Sequence, residues 1–335
     1  AIATIAWLGR RRSKAGKNAV AEEVNLRELP EAEVPKRLRP EFYFDFQAYP
    51  FAHSKLLQEA HDVIQVLELL PKYLKEQLQL EKESLVSCTR GSVSCPCVPA
   101  TASPTVLLED PCTVIVEPDK MLLDPATAAQ EALSALLLRK GAQILGGIID
   151  LRKGPVALGP GAVVEPGAFV AGPAMIGAGT VVRSGAYIRG DVLVGEKAVL
   201  RGELKNSLVM DKAELAHPGY AGDSLIGYKG HFGCQALTAN LGLFGNQLSV
   251  SLPGEEASHA RPVRVRLGRR KVGAILGDFA QLGCSSVTDP ATFLAPRTVT
   301  YTLCRLSSGF YGPDEIIKNK PEEAGALQRI RLLPK

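Results

Sequence analysis

From Leu158 onward an aliphatic side chain returns every sixth residue, at Leu158, Val164, Val170, Ile176, Val182, Ile188, Val194 and Leu200. Four residues after most of these a small or slim side chain follows, at Ala162, Ala168, Ala174, Thr180, Ala186, Val192 and Ala198, with Gly and Pro crowding the positions between. A helix repeats near 3.6 residues and an ordinary strand near 2. A period of six with glycine-filled corners therefore requires a triangular coil of three short strands, a parallel β-helix. Each side of the triangle sends one aliphatic inward, and successive coils stack at the strand spacing of about 4.8 Å, so the core is a column of aliphatics.

Past Leu200 the spacing falters. The next inward positions are Leu204, Val209, Leu215, Ala221, Ile226 and Phe232, and the first of these steps is four residues instead of six. Such a break bends a corner, and bulged corners in stacked sheets flank sites. Residues 240–272 leave the coil as a long excursion bearing Arg261, Arg264, Arg266, Arg269, Arg270 and Lys271, and a loop of that length in a compact fold is functional or binds a partner. Period six resumes at Leu276, Leu282, Thr288, Leu294 and Thr300. The expected solenoid thus covers 142–302 in about six coils.

The flanks read differently. Residues 1–41 are charged and interrupted by Pro30, Pro35 and Pro40, which predicts an extended arm. Residues 42–83 combine Phe42, Phe44, Phe46, Tyr49 and Phe51 with an apolar helical stripe through Leu56, Leu57, Val63, Ile64, Leu67 and Leu70. A helix over roughly His53–Lys82 is expected to cover a flank or open end of the solenoid. Residues 84–121 form a Cys- and Pro-rich linker, whose Cys88, Cys95 and Cys97 lack the paired CxxC hooks of structural zinc. Residues 122–141 predict a second helix, opened by Asp124 as N-cap and Pro125 at its first position and stopped by Gly141. Residues 303–335 are expected to be a helix and tail.

A chain of 335 residues with 46% hydrophobic content has ample core. The net charge of +4 is small and its basic residues are scattered, which argues against nucleic acid. Ala132–Ile149, the longest apolar stretch, is broken by Arg139, Lys140 and Gln143, so no transmembrane span is predicted. Seven cysteines, an odd number, do not form a secreted disulfide framework and fit a reducing compartment. The opening Ala1–Leu8, with Arg10, Arg11, Arg12, Lys14 and Lys17 after it, reads like the remainder beyond a cleaved targeting segment, an expectation of a soluble or peripheral protein of a plastid or mitochondrion.

Four pieces around the disturbed coils carry a resemblance: GELKNS (Gly202–Ser207), LAHPGYAGDSLIG (Leu215–Gly227), LTANL (Leu237–Leu241) and KVGAILGD (Lys271–Asp278). In this order they resemble the left-handed β-helix domain of the bifunctional N-acetylglucosamine-1-phosphate uridyltransferase/glucosamine-1-phosphate acetyltransferase and of related sugar nucleotidyltransferases. The resemblance covers roughly residues 42–302 and implies the hand of the coil. It implies His217 as the base that deprotonates the sugar amine, without which the amine cannot attack a thioester. It further implies Asn240 in the acetyl-transfer site, Arg189, Glu203 and Lys205 about the sugar phosphate, Tyr220 on the sugar, and acetyl-CoA as donor.

The departures from that pattern gather on the cofactor side. The chain has His231 where the family has Asn, and Cys234, Gln235 and Ala236 follow Gly233. Leu241 replaces a Tyr, and the positions that would contact the cofactor are a degenerate set, Cys234, Cys284 and Pro296. Residues 1–150 contain no Gly-rich nucleotide loop, so nucleotidyl transfer is not expected. The five histidines, His53, His61, His217, His231 and His259, do not reproduce the zinc set of the related gamma-type carbonic anhydrases, and no metal is expected. Two readings stand open. One is a non-catalytic scaffold subunit of an organellar assembly, docking through residues 1–41, 242–271 and the C-terminal tail. The other is an acetyl-CoA-dependent N-acetyltransferase of the glucosamine-1-phosphate type, working as a homotrimer whose sites are completed between neighbouring copies.

Overall fold

The computed structural model describes residues 22–88, 105–109, 112–115, 120–123, 135–253, 263–320 and 327–331. The Ala1–Leu8 segment, Cys95 and Cys97 lie outside them.

The hexads fold into a parallel β-solenoid with three faces. The first face stacks ten strands from Thr105–Leu108 to Gly309–Tyr311. The second runs from Thr113–Val114 to Glu315–Asn319, where Leu327–Arg331 pairs antiparallel and ends it. The third runs from Met121–Leu122 to Arg305–Leu306. Inward residues stack in register, as in Leu158, Ile176, Val194 and Val209 on the first face and Val164, Val182, Leu200 and Leu215 on the second. With the small residues at the corners they fill one continuous core.

The solenoid therefore has about ten coils rather than six, and it extends beyond 142–302 at both ends. Where a helix was expected over 122–141, the described residues Ala135–Leu138 form a strand buried on both sides, and Asp124 and Pro125 lie outside the described residues. The expected linker contributes the strands Thr105–Leu108, Thr113–Val114 and Met121–Leu122. The expected C-terminal helix is replaced by the strands Arg305–Leu306, Gly309–Tyr311 and Glu315–Asn319.

A second core explains the missed strands. The outward side of the first face is apolar too, with Leu137, Ala157, Leu193, Leu208, Leu225, Ile275 and Phe293 buried against the N-terminal segment. That segment contains two helices, α1 (Ser54–Gln58) and α2 (Gln65–Cys88), instead of one. The break holds Asp62, whose Oδ1 accepts the N–H groups of Ile64 and Gln65 and so caps α2. Helix α2, about 36 Å long at 1.5 Å per residue, lies over the strands from Thr105–Leu108 to Ser207–Val209. Beyond its start Tyr43 and Phe44 take over, with the Tyr43 ring 6.2 Å from Phe293. The cover thus lies on a flank, not on an open end.

Residues 22–41 are not a free arm. Leu26 and Leu38 are fully buried, and Arg27 reaches the fully buried Asp62 at 2.5 Å and Glu68 at 2.7 Å. Glu22–Asn25 also pairs in parallel with Val263–Arg266 of the excursion, whose other neighbour is the antiparallel Ser249–Ser251. The excursion thus supplies two strands of a small three-stranded sheet that ties the N-terminal segment to the solenoid. No helix among the described residues is long and apolar enough to cross a membrane.

Candidate functional site

Apart from Pro296, the site residues expected from the sequence fall on the third face and on the two ridges that border it. The ridge between the third and first faces is the tighter. The two successive corners just before the excursion advance five residues between inward positions instead of six, from Leu204 to Val209 and from Ala221 to Ile226. Each is turned by a left-handed residue, Asn206 (φ 45°) and Asp223 (φ 48°), side-chain types that tolerate that conformation. The excursion leaves from the same ridge one coil later and returns to it, with Val272 N–H donating to Asn240 O at 2.9 Å.

Asp223 is the hub of this ridge. It is 4% exposed, and its carboxylate accepts from Asn206 Nδ2 (2.8 Å), Asn240 Nδ2 (2.7 Å) and Arg269 Nη2 (3.2 Å). Asn240 also donates to the Tyr220 hydroxyl at 3.1 Å. A Cβ at Gly222 would collide with the Tyr220 hydroxyl and approach Asn240 Nδ2, so any larger residue here displaces the ends of both side chains. Burial, reinforced by the Asp223 and Glu203 carboxylates, pushes the Tyr220 phenol above its ordinary range.

Beside the hub opens a cleft of about 400 Å³, lined by Asp191, Lys205, Asn206 and Asp223 from the solenoid, by Arg269 from the excursion and by Leu67, Glu68 and Pro71 from α2. Among the described residues, the Lys205 ammonium and the Asp191 carboxylate have neither a hydrogen bond nor an ion pair. Burial raises the Asp191 carboxyl, opposed by the positive charges of Lys75, Lys205 and Lys153. Two coils outward from Tyr220 on the third face, Arg189 donates to Glu203 at 2.6 Å and lies 5.7 Å from the Tyr187 ring. The Glu203 hydrogen bond holds the guanidinium above its usual pKa.

The structure thus brings together Lys205, Tyr220 and Asn240, with Glu203 on the strand of Lys205 and Arg189 at the end of the next strand. It places His217 elsewhere. His217 is exposed, without a hydrogen bond among the described residues, on the ridge between the second and third faces. Within one chain it stands across the width of a face from Asn240, roughly 15–20 Å at 3.3 Å per residue. The expected cofactor trio is also divided. Cys234 and Cys284 succeed His217 in register on the same ridge, one per coil, since Glu214 pairs with His231 and Phe232 with Leu282. Pro296 sits on the third ridge, against Gly277 and near the Tyr43 carbonyl, and cannot join them.

His231 projects from the second face, with Nδ1 3.5 Å from Glu214. No three described His, Cys, Asp or Glu residues are placed to hold a metal. Sequence reasoning missed Asp191, Asn206, Asp223, Arg269 and Glu68. Asp223 lies inside the quoted motif, and its signal was the second five-residue step.

No family model matches the chain. Over 124 residues it is 30% identical to the bifunctional protein GlmU of Methanococcus maripaludis, covering 35% of this chain and 28% of that protein. Over 81 residues it is 33% identical to the bifunctional sugar-1-phosphate nucleotidylyltransferase/acetyltransferase of Sulfurisphaera tokodaii, covering 24% of this chain and 18% of the relative. The chain thus spans little more than a quarter of the length of the first of these relatives. Among solved structures, the Arabidopsis UDP-N-acetylglucosamine acyltransferase aligns over 68% of this chain and 73% of its own at 12% identity, with a TM-score of 0.27.

Proposed function

We propose that this acyltransferase-like hexapeptide solenoid transfers an acetyl group to the amine of an amino-sugar phosphate. The observation that carries this is the convergence of Lys205, Tyr220 and Asn240 around Asp223, with the Arg189–Glu203 pair on the same face. Lys205 and Arg189 receive the phosphate, and Tyr220 lies along the sugar. Asn240, fixed by Asp223, presents its amide at the reacting end. His217 takes a proton from the ammonium, whose charged form has no lone pair to attack with.

Because His217 and Asn240 stand on opposite edges of one face, the site is complete only where the His217 ridge of one copy meets the Asn240 ridge of another. A closed ring of three copies provides that contact at every face junction while the first face stays covered by α2. Acetyl-CoA, when bound, supplies the thioester. Cys234 and Cys284 keep the ridge beside His217 narrow enough for it to lie there, whereas Pro296 has no part in holding it.

The test is release of CoA thiol from acetyl-CoA in the presence of glucosamine 1-phosphate, together with light scattering. The expected outcome is a particle about three times the 35.8 kDa protomer and turnover that His217→Ala lowers by about 10² to 10⁴. A monomer with no turnover and no calorimetric heat for either substrate overturns the proposal and favours a non-catalytic scaffold.

A further inference from the structure

We propose that Cys234 and Cys284 form a reversible disulfide that staples the two coils flanking the excursion. Phe232 pairs with Leu282 in parallel register, which sets residue 234 directly beside residue 284. Hydrogen bonds lock the register on both sides of the pair: Gly233 N–H donates to Leu282 O and Ser285 N–H to Cys234 O, each at 2.7 Å. Adjacent coils are about 4.8 Å apart, inside the Cα separation of about 4.4–6.8 Å that a disulfide spans.

Each cysteine is followed by a left-handed residue, Gln235 (φ 62°) and Ser285 (φ 53°). The two corners therefore turn alike and send both thiols to the same side. The side chains one position on already meet across the coils, with Ser285 Oγ 3.4 Å from Gln235 Oε1. Both cysteines are free thiols; Cys234 is half-buried and Cys284 exposed. Cys112 and Cys304 are placed differently. Cys112 Sγ lies against the Glu109 and Arg139 carbonyls, and Cys304 is buried, which pushes its thiol up.

The exposed thiol meets the oxidant and the half-buried one resolves it. With a small-molecule disulfide, the Cys284 thiolate attacks one sulfur, the small molecule's S–S bond breaks, and one thiolate leaves and is protonated. The Cys234 thiolate then attacks Cys284 Sγ and expels the second small thiolate. Two protein thiols are oxidised and one disulfide is reduced to two thiols. The product closes a loop that contains the whole excursion, which restricts the unfolded chain. It also stiffens the ridge behind His217, since Gln235 N–H donates to Pro218 O at 2.7 Å. The staple lies on the ridge where the proposed function lays acetyl-CoA, but it is carried by strand register and thiol placement and does not rest on that reading.

The experiment is incubation of the full chain with glutathione disulfide, alkylation, tryptic digestion without reduction, and mass spectrometry. The expected result is a linked pair of peptides, 230–264 (Arg261 is followed by Pro262 and resists cleavage) and 272–297, each holding one cysteine. The product should migrate as a monomer in a non-reducing gel and melt higher than the reduced protein, reversibly with dithiothreitol. Cys234→Ser should stop at a glutathione adduct on Cys284, and Cys284→Ser should yield no linked pair. Separate glutathione adducts on both wild-type cysteines without a linked pair, a disulfide-bonded dimer, or two unreacted thiols each overturn the proposal.

Discussion

Replacing Asp223 by Asn tests whether one carboxylate holds the site and the excursion together. The left-handed backbone at Asp223 (φ 48°) suits Asn as well as Asp, so backbone strain drops out of the comparison. What changes is the set of three donors aimed at the carboxylate, from Asn206, Asn240 and Arg269. An amide offers one oxygen, so its NH₂ must face either Asn240 or Asn206 and Arg269, donor against donor. The ion pair with Arg269, whose side chain is 18% exposed, is lost as well. Stranding buried donors costs about 1–3 kcal/mol and breaking a buried pair about 3–5. The residual access of Arg269 to water lowers that figure, so Asp223→Asn should destabilise by about 2–4 kcal/mol. Arg269→Met leaves Asp223 two amide donors and should cost less. The double variant should fall short of the sum, with a coupling of about 0.5–3 kcal/mol. Guanidinium unfolding gives the energies, and trypsin cleavage after Arg264, Arg266 or Arg269 reports release of the excursion. A variant within about 0.5 kcal/mol of wild type, or strict additivity of the two substitutions, refutes the hub.

His53 donates to or accepts from the Tyr73 hydroxyl at 3.0 Å, and burial lowers its pKa to about 4, against the raising effect of Glu81. A base held neutral in the fold contributes stability above its unfolded pKa of about 6.5 and loses it as pH falls toward 4, worth about 3 kcal/mol. His53→Gln should remove that part of the slope in unfolding free energy between pH 6.5 and 4.5, and an unchanged slope would show that another group carries it. Gly222→Ala should push the Tyr220 hydroxyl and Asn240 aside and weaken glucosamine 1-phosphate binding by calorimetry with little change in melting; equal affinity counts against the placement of the sugar. Leu74→Ala, at a fully buried α2 position against the first face, should cost about 2–5 kcal/mol in unfolding free energy. A loss below about 1 kcal/mol would mean that the cover is not part of the cooperative fold.

Period six was legible because the solenoid interior repeats one environment per side, so Leu158 to Leu200 could be read without knowing what lay outside. The same repeat failed at Ala135–Leu138, a run of four apolar residues. A strand covered on both faces loses its alternation and reads as a continuous apolar run, indistinguishable from a buried helix. That cover is α2, which comes from residues 65–88, so only the tertiary structure could reveal that the solenoid begins near Thr105. The folding-back of residues 22–41 was hidden for a different reason, since it rests on pairs such as Arg27 with Asp62 and Glu68 that join distant parts of the chain. At the site, motif order marked Lys205, Tyr220 and Asn240, whose neighbours in sequence repeat with the coil. Asp223 and Arg269 are 46 residues apart and Glu68 is contributed from the cover. Nothing in a period of six specifies a contact between a corner, an excursion and a helix, because those pairings depend on which surfaces remain after the coils have stacked.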